Sequence, residues 1–101
     1  MVYLHVTLDI KTGKLRHFAE AFERRISVLE SFGWKFLGGW QSITGRRNTV
    51  VHMWELPDAD ALPAAVARAY EDAEFMRVAP AIHDCLEREV IQIMAKTPYS
   101  P

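Results

Sequence analysis

Hydrophobic and polar residues alternate along several short segments of the chain, and between them apolar residues recur every three or four positions. Alternation places successive side chains on opposite faces of a strand, so we predict strands at residues 2–8, 34–42, 49–56 and 87–96. The longer period predicts a helix over residues 14–32, whose apolar stripe consists of Leu15, Phe18, Phe22, Ile26 and Leu29.

A second helical region follows the third strand. Asp60 is the preferred N-cap, because it places Pro63 in the first turn, where the missing backbone N–H has no partner to lose. The expected buried stripe consists of Leu62, Val66 and either Ala69 or Tyr70. Asp72 is expected to cap a further short helical piece that closes at Pro80. The order βαββαβ predicts a ferredoxin-like α+β fold with an antiparallel sheet, in which the first and third strands are central neighbours.

The second and third strands form a predicted hairpin that is rich in aromatic residues. By alternation, the second strand presents Leu37 on one face and on the other Trp34, Phe36 and Trp40. The third strand presents Val51 and Met53 on one face and on the other Val50, His52 and Trp54. The Gly38-Gly39 pair indicates a bulge or a close approach of another group to the backbone. Gly45 and Asn48 are expected to serve the turn.

The large apolar side chains exceed what one helical layer can cover. In a ferredoxin-like sheet the two helices cover one face, and the other face would be bare in a monomer. The side chains that cannot all fit beneath two helices are Trp34, Trp40, Trp54, Tyr3, Phe36, Leu37, Met53, Ile91 and Ile93. Since a second apolar face is more often an interface than a solvated surface, we expect a homodimer joined through its sheet faces.

Composition and charge exclude several classes of protein. The 101 residues fit one domain, 1–101, with 50% hydrophobic residues, 25% charged residues and a net charge of −1. The Arg46-Arg47 pair is too short to predict a nucleic-acid partner. Cys85 is the single cysteine, so a reducing compartment is expected. With neither a signal-peptide pattern nor an apolar run of membrane-spanning length, we expect a cytoplasmic protein without membrane contact.

A glycine- and tryptophan-containing motif occupies the hairpin. It reads Gly38-x-Trp40, followed by Gly45-x-x-Asn48-x-Val50-Val51-His52-Met53-Trp54. Weaker matches follow at Asp60, Arg68, Asp72, Phe75 and Pro80, and in the closing Tyr99-Ser100-Pro101. Together these residues resemble the NIPSNAP family over nearly the whole chain.

The resemblance implies the dimeric α+β barrel superfamily, in which the sheets of two protomers close a barrel across the dimer interface. It implies no single chemistry, because the superfamily includes cofactor-independent monooxygenases, isomerases, lyases, haem-degrading enzymes and proteins of no known activity. The sequence also departs from the family. Where the family's first strand commonly carries an acidic residue, an arginine and a tyrosine, this chain has Leu4, Val6 and Leu8. Its Asp72-Ala73 likewise stands where the family tends to have Asp-Pro.

His52 is the best candidate for a catalytic residue. It shares a strand face with Trp54, and the expected ligand-binding residues around it are His5, Trp40, Trp54 and Tyr3. A neutral imidazole in an aromatic cleft can act as a general base near neutral pH without a cofactor. Because the first and third strands are neighbours, His5 and His52 could approach each other. The alternative, and more common, role of His52 is structural, with a hydrogen bond to a neighbouring loop or to the dimer mate.

The sequence favours no metal and no cofactor. The closest pair of potential zinc ligands, His83-x-Cys85, does not build a tetrahedral site. Haem held by one axial histidine, His52 or His17, is not favoured either. Cys85 has no activating partner in the sequence and is expected to be a buried small hydrophobe.

Three functions fit these observations. The first is a homodimer that binds a small hydrophobic or aromatic molecule in a pocket between sheet and helices. The second is a cofactor-independent isomerase, cyclase, lyase or monooxygenase with His52 as general base, which a closed cavity beside His52 would favour. The third is a protein-interaction module that uses the sheet edges or the aromatic patch. An absent cavity, together with an apolar patch left exposed after dimerisation, would favour it.

Overall fold

A computed structural model describes all 101 residues as a four-stranded sheet with its helices on one face. The elements are β1 (Val2–Ile10), α1 (Leu15–Ser31), β2 (Lys35–Gln41), β3 (Thr49–Leu56), α2 (Ala61–Ala69), α3 (Ala73–His83) and β4 (Leu86–Met94). The strand order is β2-β3-β1-β4 with every pair antiparallel. This order confirms the predicted ferredoxin-like fold. None of the helices has the length and apolar character needed to cross a lipid bilayer.

Every second residue of the two central strands faces the helices. Leu4 pairs with Trp54 and Val6 with His52, so the even-numbered residues of β1 and β3 share one face. The buried residues of this face are Leu4, Val6, Leu8, Ile10, Val50, His52, Trp54 and Leu56. The prediction that Val50, His52 and Trp54 share one face of the third strand is therefore confirmed, and this face forms one wall of the hydrophobic core.

Helix α1 buries its predicted stripe together with one charged residue. Phe18, Ala21 and Leu29 are buried, and Phe22 is half-buried against the same core. Arg25 is buried as well. It lies three residues after Phe22 and four before Leu29, and residues at these separations occupy the same face of a helix.

Two residues of the predicted α2 stripe, Leu62 and Ala69, pack inward, and Ala65 takes the place predicted for Val66. The residues that pack inward are Leu62, Ala65 and Ala69, whereas Val66 and Tyr70 are exposed. The cap also differs. The carboxylate of Asp58 accepts a hydrogen bond from the Ala61 N–H at 3.1 Å, while Asp60 makes no side-chain cap.

Helix α3 begins as predicted and ends later. The Asp72 carboxylate accepts a hydrogen bond from the Phe75 N–H at 2.8 Å, which confirms Asp72 as the N-cap. Pro80 does not close the helix, which continues to His83. A proline cannot donate a backbone hydrogen bond and its ring crowds the carbonyl four residues earlier, but its own carbonyl can still accept. Its carbonyl still accepts a hydrogen bond from the Asp84 N–H at 2.9 Å, so the last turn holds.

A bulge in β2 reverses the faces of its second half. The register shifts after Phe36, which pairs with Trp54 on the helix-covered face, whereas Trp40 pairs with Val51 on the opposite face. The prediction that Trp34, Phe36 and Trp40 share one face is therefore wrong. Simple alternation fails because a bulge inserts one extra residue into the strand.

The two glycines of β2 make room for side chains that cross the strand. A Cβ on Gly39 would lie 3.0 Å from Cδ2 of His52, and a Cβ on Gly38 would lie 3.0 Å from the ring of Trp40. Both explanations of the glycine pair, a bulge and a close approach to the backbone, are thus confirmed.

The second face of the sheet, the open face, carries no helix. Its half-buried central side chains are Tyr3, His5, Thr7, Val51 and Met53. Exposed apolar side chains flank them on the outer strands, namely Trp40, Val90 and Met94. Trp34, Phe36 and Trp54 fit beneath the helices after all. The surplus of apolar surface on the open face is therefore smaller than the sequence indicated, and Ile91 and Ile93 are exposed on the helix-covered side of β4.

The substitution Gly39→Ala tests the contact between β2 and the His52 ring. The added Cβ would lie 3.0 Å from Cδ2 and 3.4 Å from Nε2 of the imidazole. Because such overpacking strains a filled core, we expect the free energy of unfolding in urea to fall by about 1–3 kcal/mol. The control Gln41→Ala, on the same strand at an exposed position, should change it by less than about 0.5 kcal/mol. An equally small effect of Gly39→Ala would contradict the contact.

Candidate functional site

A cavity of about 150 Å³ lies between the helix-covered face of the sheet and the helices. Of its 16 lining residues 13 are hydrophobic, so its wall is apolar. Exposed residues at its rim, Val66 of α2 and Glu89 and Ile91 of β4, open it to solvent. Three polar side chains reach it: Arg25, His52 and Glu89. An apolar cleft with a few convergent polar groups is the usual form of a small-molecule site.

His52 projects from β3 into an aromatic cage. Its ring centroid lies 4.3 Å from that of Phe22, 5.6 Å from that of Phe36 and 6.0 Å from that of Phe18. Its Nδ1 is buried without a hydrogen-bond partner. Desolvation by burial lowers the pKa of His52 from 6.5 to about 4, so the imidazole is neutral at neutral pH. A structural histidine would form a hydrogen bond with a neighbouring loop, and Nδ1 of His52 forms none.

Two tryptophans form the floor of the cavity. Trp54 is 1% exposed, and its ring meets that of Trp34 edge-on at a centroid distance of 5.4 Å. The Trp34 indole N–H donates a hydrogen bond to the Ala61 carbonyl at 3.3 Å, which ties this floor to the start of α2. Both rings are therefore fixed from two sides before any ligand binds.

Arg25 is the polar residue of the cavity that the sequence interpretation missed. Its side chain is 9% exposed, and Nε and Nη2 are buried with no hydrogen-bond partner. The guanidinium carbon lies 3.8 Å from the ring centroid of Phe75. Desolvation lowers the pKa of Arg25 to about 10, against an opposing effect of Glu89, and the group stays charged at neutral pH. The signal was present in the sequence, because a charged residue stood at helical spacing within the apolar stripe.

The five predicted site residues divide between the two faces of the sheet. His52 and Trp54 line the cavity. Tyr3 and His5 pair with odd-numbered residues of β3 and lie on the open face, as does Trp40. The expectation that the two imidazoles approach each other is wrong, because His5 is paired with the residue after His52. Trp40 and His52 do both border a second groove, between α1 and β2, although their side chains leave opposite faces.

The other titratable residues form no metal site. No three His, Cys, Asp or Glu side chains are grouped so that they could hold a metal ion. Cys85 is buried, as expected, and its thiol donates a hydrogen bond to the Ala81 carbonyl at 3.2 Å. The chemistry of the cavity therefore rests on its arginine, its histidine and the glutamate at its rim.

The comparison with known families bears on the whole chain. A family model described as NIPSNAP matches residues 3–101. The chain belongs to the NIPSNAP family. This match confirms the resemblance seen in the hairpin motif. At least one residue of the motif also has a structural role in the hairpin. Asn48 serves the turn, where its side chain contacts Thr12 and its carbonyl accepts a hydrogen bond from the Ile10 N–H.

Solved structures place the NIPSNAP chain among proteins of the same fold. A NIPSNAP family protein with unknown function from Agrobacterium tumefaciens is 26% identical, with a TM-score of 0.89 over 100% of this chain and 92% of that chain. An uncharacterized NIPSNAP domain protein from Burkholderia xenovorans is 22% identical, with a TM-score of 0.87 over 100% and 99%. An antibiotic biosynthesis monooxygenase is 17% identical, with a TM-score of 0.70 over 97% and 100%, and shares the fold. A search of curated proteins finds no match.

Three residues of the first strand face the cavity. Leu4, Val6 and Leu8 all line the cavity and are buried. The first strand therefore presents an apolar wall to the cavity. The cation of this cavity stands on α1 instead, at Arg25.

Neutral His52 makes the stability of this NIPSNAP protein depend on pH. Between pH 6.5 and about 4 the unfolded chain binds a proton at this imidazole while the folded chain does not. The free energy of unfolding is therefore expected to fall as pH falls through this window, by about 3 kcal/mol at most from this residue. Urea denaturation at several pH values measures it. The difference between wild type and His52→Gln isolates this residue from the carboxylates. Identical pH slopes for the two proteins would contradict the assignment.

Proposed function

We propose that this NIPSNAP protein is a homodimer that binds a small hydrophobic or aromatic molecule in the cavity between sheet and helices. The observation that carries the proposal is an apolar cavity with 13 hydrophobic residues among its 16 lining residues and only three polar side chains. Binding sites for small organic molecules have this composition. The presence of the cavity also favours ligand binding over a role as a protein-interaction module. We propose a cytoplasmic location from the sequence.

The size of the cavity limits the ligand. A volume of about 150 Å³ matches one aromatic ring with a short substituent, since an apolar cavity of similar size engineered in another protein binds benzene. The open rim at Val66 and Ile91 leaves room for a somewhat longer molecule to extend toward solvent. Fused polycyclic compounds would require the helices to move.

The open face supports the proposed homodimer. Exposed Trp40, Val90 and Met94 surround the half-buried apolar side chains of Val51 and Met53 on this face. Burying such a surface against its own copy through a two-fold axis is the simple way to remove it from water. The ligand cavity lies on the other face of the sheet, so assembly and ligand binding use different surfaces.

A second candidate is a cofactor-independent enzyme with His52 as general base. It is favoured by the unpartnered Nδ1 of a neutral imidazole at the cavity. A general base works best when its pKa lies near the operating pH, whereas the pKa of His52 is lowered to about 4. The open rim of the cavity also differs from the closed site that such an enzyme needs. Ligand binding is therefore the better supported function.

Ligand binding can be tested with toluene as a neutral probe and with the indole N–H signals of the protein in NMR. We expect the signals of Trp34 and Trp54 to shift on titration, because both rings line the cavity, and the signal of Trp40 to stay in place. Ala65→Leu should weaken binding about tenfold or more by filling the cavity, whereas Ala64→Leu, on the exposed side of α2, should not. Equal binding by both variants, or shifts at Trp40 alone, would contradict the proposed site.

The proposed homodimer can be tested by sedimentation at micromolar concentration, where we expect about twice the chain mass. Trp40→Asp should convert the protein to a folded monomer, because Trp40 is 58% exposed within one protomer and would be buried only by assembly. Tyr70→Asp, an exposed aromatic on α2, is the control and should leave the dimer intact. A wild-type monomer without concentration dependence would overturn the proposal.

A further inference from the structure

We infer that the ligand of this cavity carries a single carboxylate, which the guanidinium of Arg25 binds, and that the rest of the ligand is apolar. The inference rests on the proposed function, because it names the chemistry of the same site. It follows from an arginine that is buried in an apolar cavity and has no partner for two of its nitrogen atoms.

Arg25 has two hydrogen-bond donors without a partner. Nε and Nη2 are both buried and neither makes a hydrogen bond, although the side chain is only 9% exposed. Buried charges in proteins are paired as a rule, since an isolated charge in an apolar environment is costly. Nε and one terminal nitrogen form an edge of the guanidinium that matches the two oxygens of a carboxylate.

No side chain around Arg25 forms a hydrogen bond with that edge. The guanidinium carbon lies 3.8 Å from the ring centroid of Phe75, and beside this cation–π contact Nε and Nη2 still have no hydrogen-bond partner. Glu89 borders the same cavity and raises the pKa of Arg25 through its charge, yet it forms no ion pair with Arg25. The ion pairs of the protein involve other residues, namely Arg16–Glu20, Arg46–Asp9 and Arg77–Glu74.

The charge of the cavity selects a monoanion. Arg25 is its one cation, because His52 is neutral, and Glu89 adds a negative charge at the rim. A phosphate monoester, which carries nearly two negative charges at neutral pH, would leave one of them uncompensated beside Glu89. A monocarboxylate matches the single guanidinium. The apolar wall of the cavity then binds the body of the acid, so aryl-acetic and short branched aliphatic acids are the class that fits.

The test compares phenylacetate with phenylacetamide, which have the same shape and differ in charge. Isothermal titration calorimetry on the full chain should give an affinity for phenylacetate about tenfold or more above that for the amide, since hydrogen bonds to a charged partner are the stronger ones. Arg25→Gln should remove this preference and leave the affinity for the amide within about threefold of wild type. Arg24→Gln, the exposed neighbour on the same helix, changes the net charge equally and should leave the preference intact.

A second variant keeps the test decisive if Arg25→Gln does not fold. Glu89 is exposed, so Glu89→Gln should not disturb folding. It removes the negative charge nearest the proposed carboxylate and should tighten phenylacetate binding about twofold to tenfold without affecting the amide. An unchanged or weakened phenylacetate affinity in this variant would overturn the inference.

The outcomes separate this inference from the function on which it rests. Equal affinity of the wild type for acid and amide, or an undiminished preference in Arg25→Gln, would overturn the role of Arg25 and leave ligand binding in the cavity standing. Failure of phenylacetate, phenylacetamide and toluene alike to bind would overturn both. If the wild type prefers the acid, Arg25→Gln loses that preference and Glu89→Gln increases it, the result would support both the role of Arg25 and ligand binding in the cavity.

Discussion

The antiparallel register between β1 and β3 is the constraint on which the rest of the structure depends. It pairs even-numbered residues with even-numbered residues, so one face of both strands is apolar and must be covered. Helix α1 covers it with Phe18, Phe22 and Leu29, and α2 closes over it with small side chains. The cavity is the space that the small side chains of Ala65 and Ala69 leave unfilled above Trp34 and Trp54. The β1–β3 register therefore determines which face of the sheet the helices cover and on which face the cavity lies.

The polar groups of the cavity are better explained by function than by stability. Leucine at position 25 would extend the stripe of α1, and an aliphatic residue at position 52 would fill the aromatic cage without a buried imidazole nitrogen. The chain instead keeps two groups whose pKa values are both lowered by desolvation. Proteins tolerate such local costs chiefly at working sites. The location of both groups on one cavity supports its assignment as the functional site of this NIPSNAP protein.

The two faces of the sheet have different roles in the proposed function. The helix-covered face holds the ligand cavity, and the open face is available for self-association. The bulge in β2 separates these roles, because it sends Phe36 toward the helix-covered face and Trp40 toward the open face. A substitution on the open face can therefore alter assembly without touching the residues that contact a ligand, and this independence makes the two proposals separable by experiment.

Much of the fold was determined by the sequence itself. Alternation predicted the third strand with its observed bounds, Thr49–Leu56, and the helical period predicted α1 within one residue at each end. These signals are local, because they arise from side-chain direction along a single element. The apolar stripe also contained the position of Arg25, although its significance was missed. Tertiary structure alone decided the rest. The bulge in β2, the inward face of α2 and the separation of His5 from His52 all depend on pairing and packing between elements distant in sequence. A register shifted by one residue would have placed His5 opposite His52, but it would also have turned Leu4, Val6 and Leu8 away from the face that the helices cover, and the packing of the sheet against the helices excludes it.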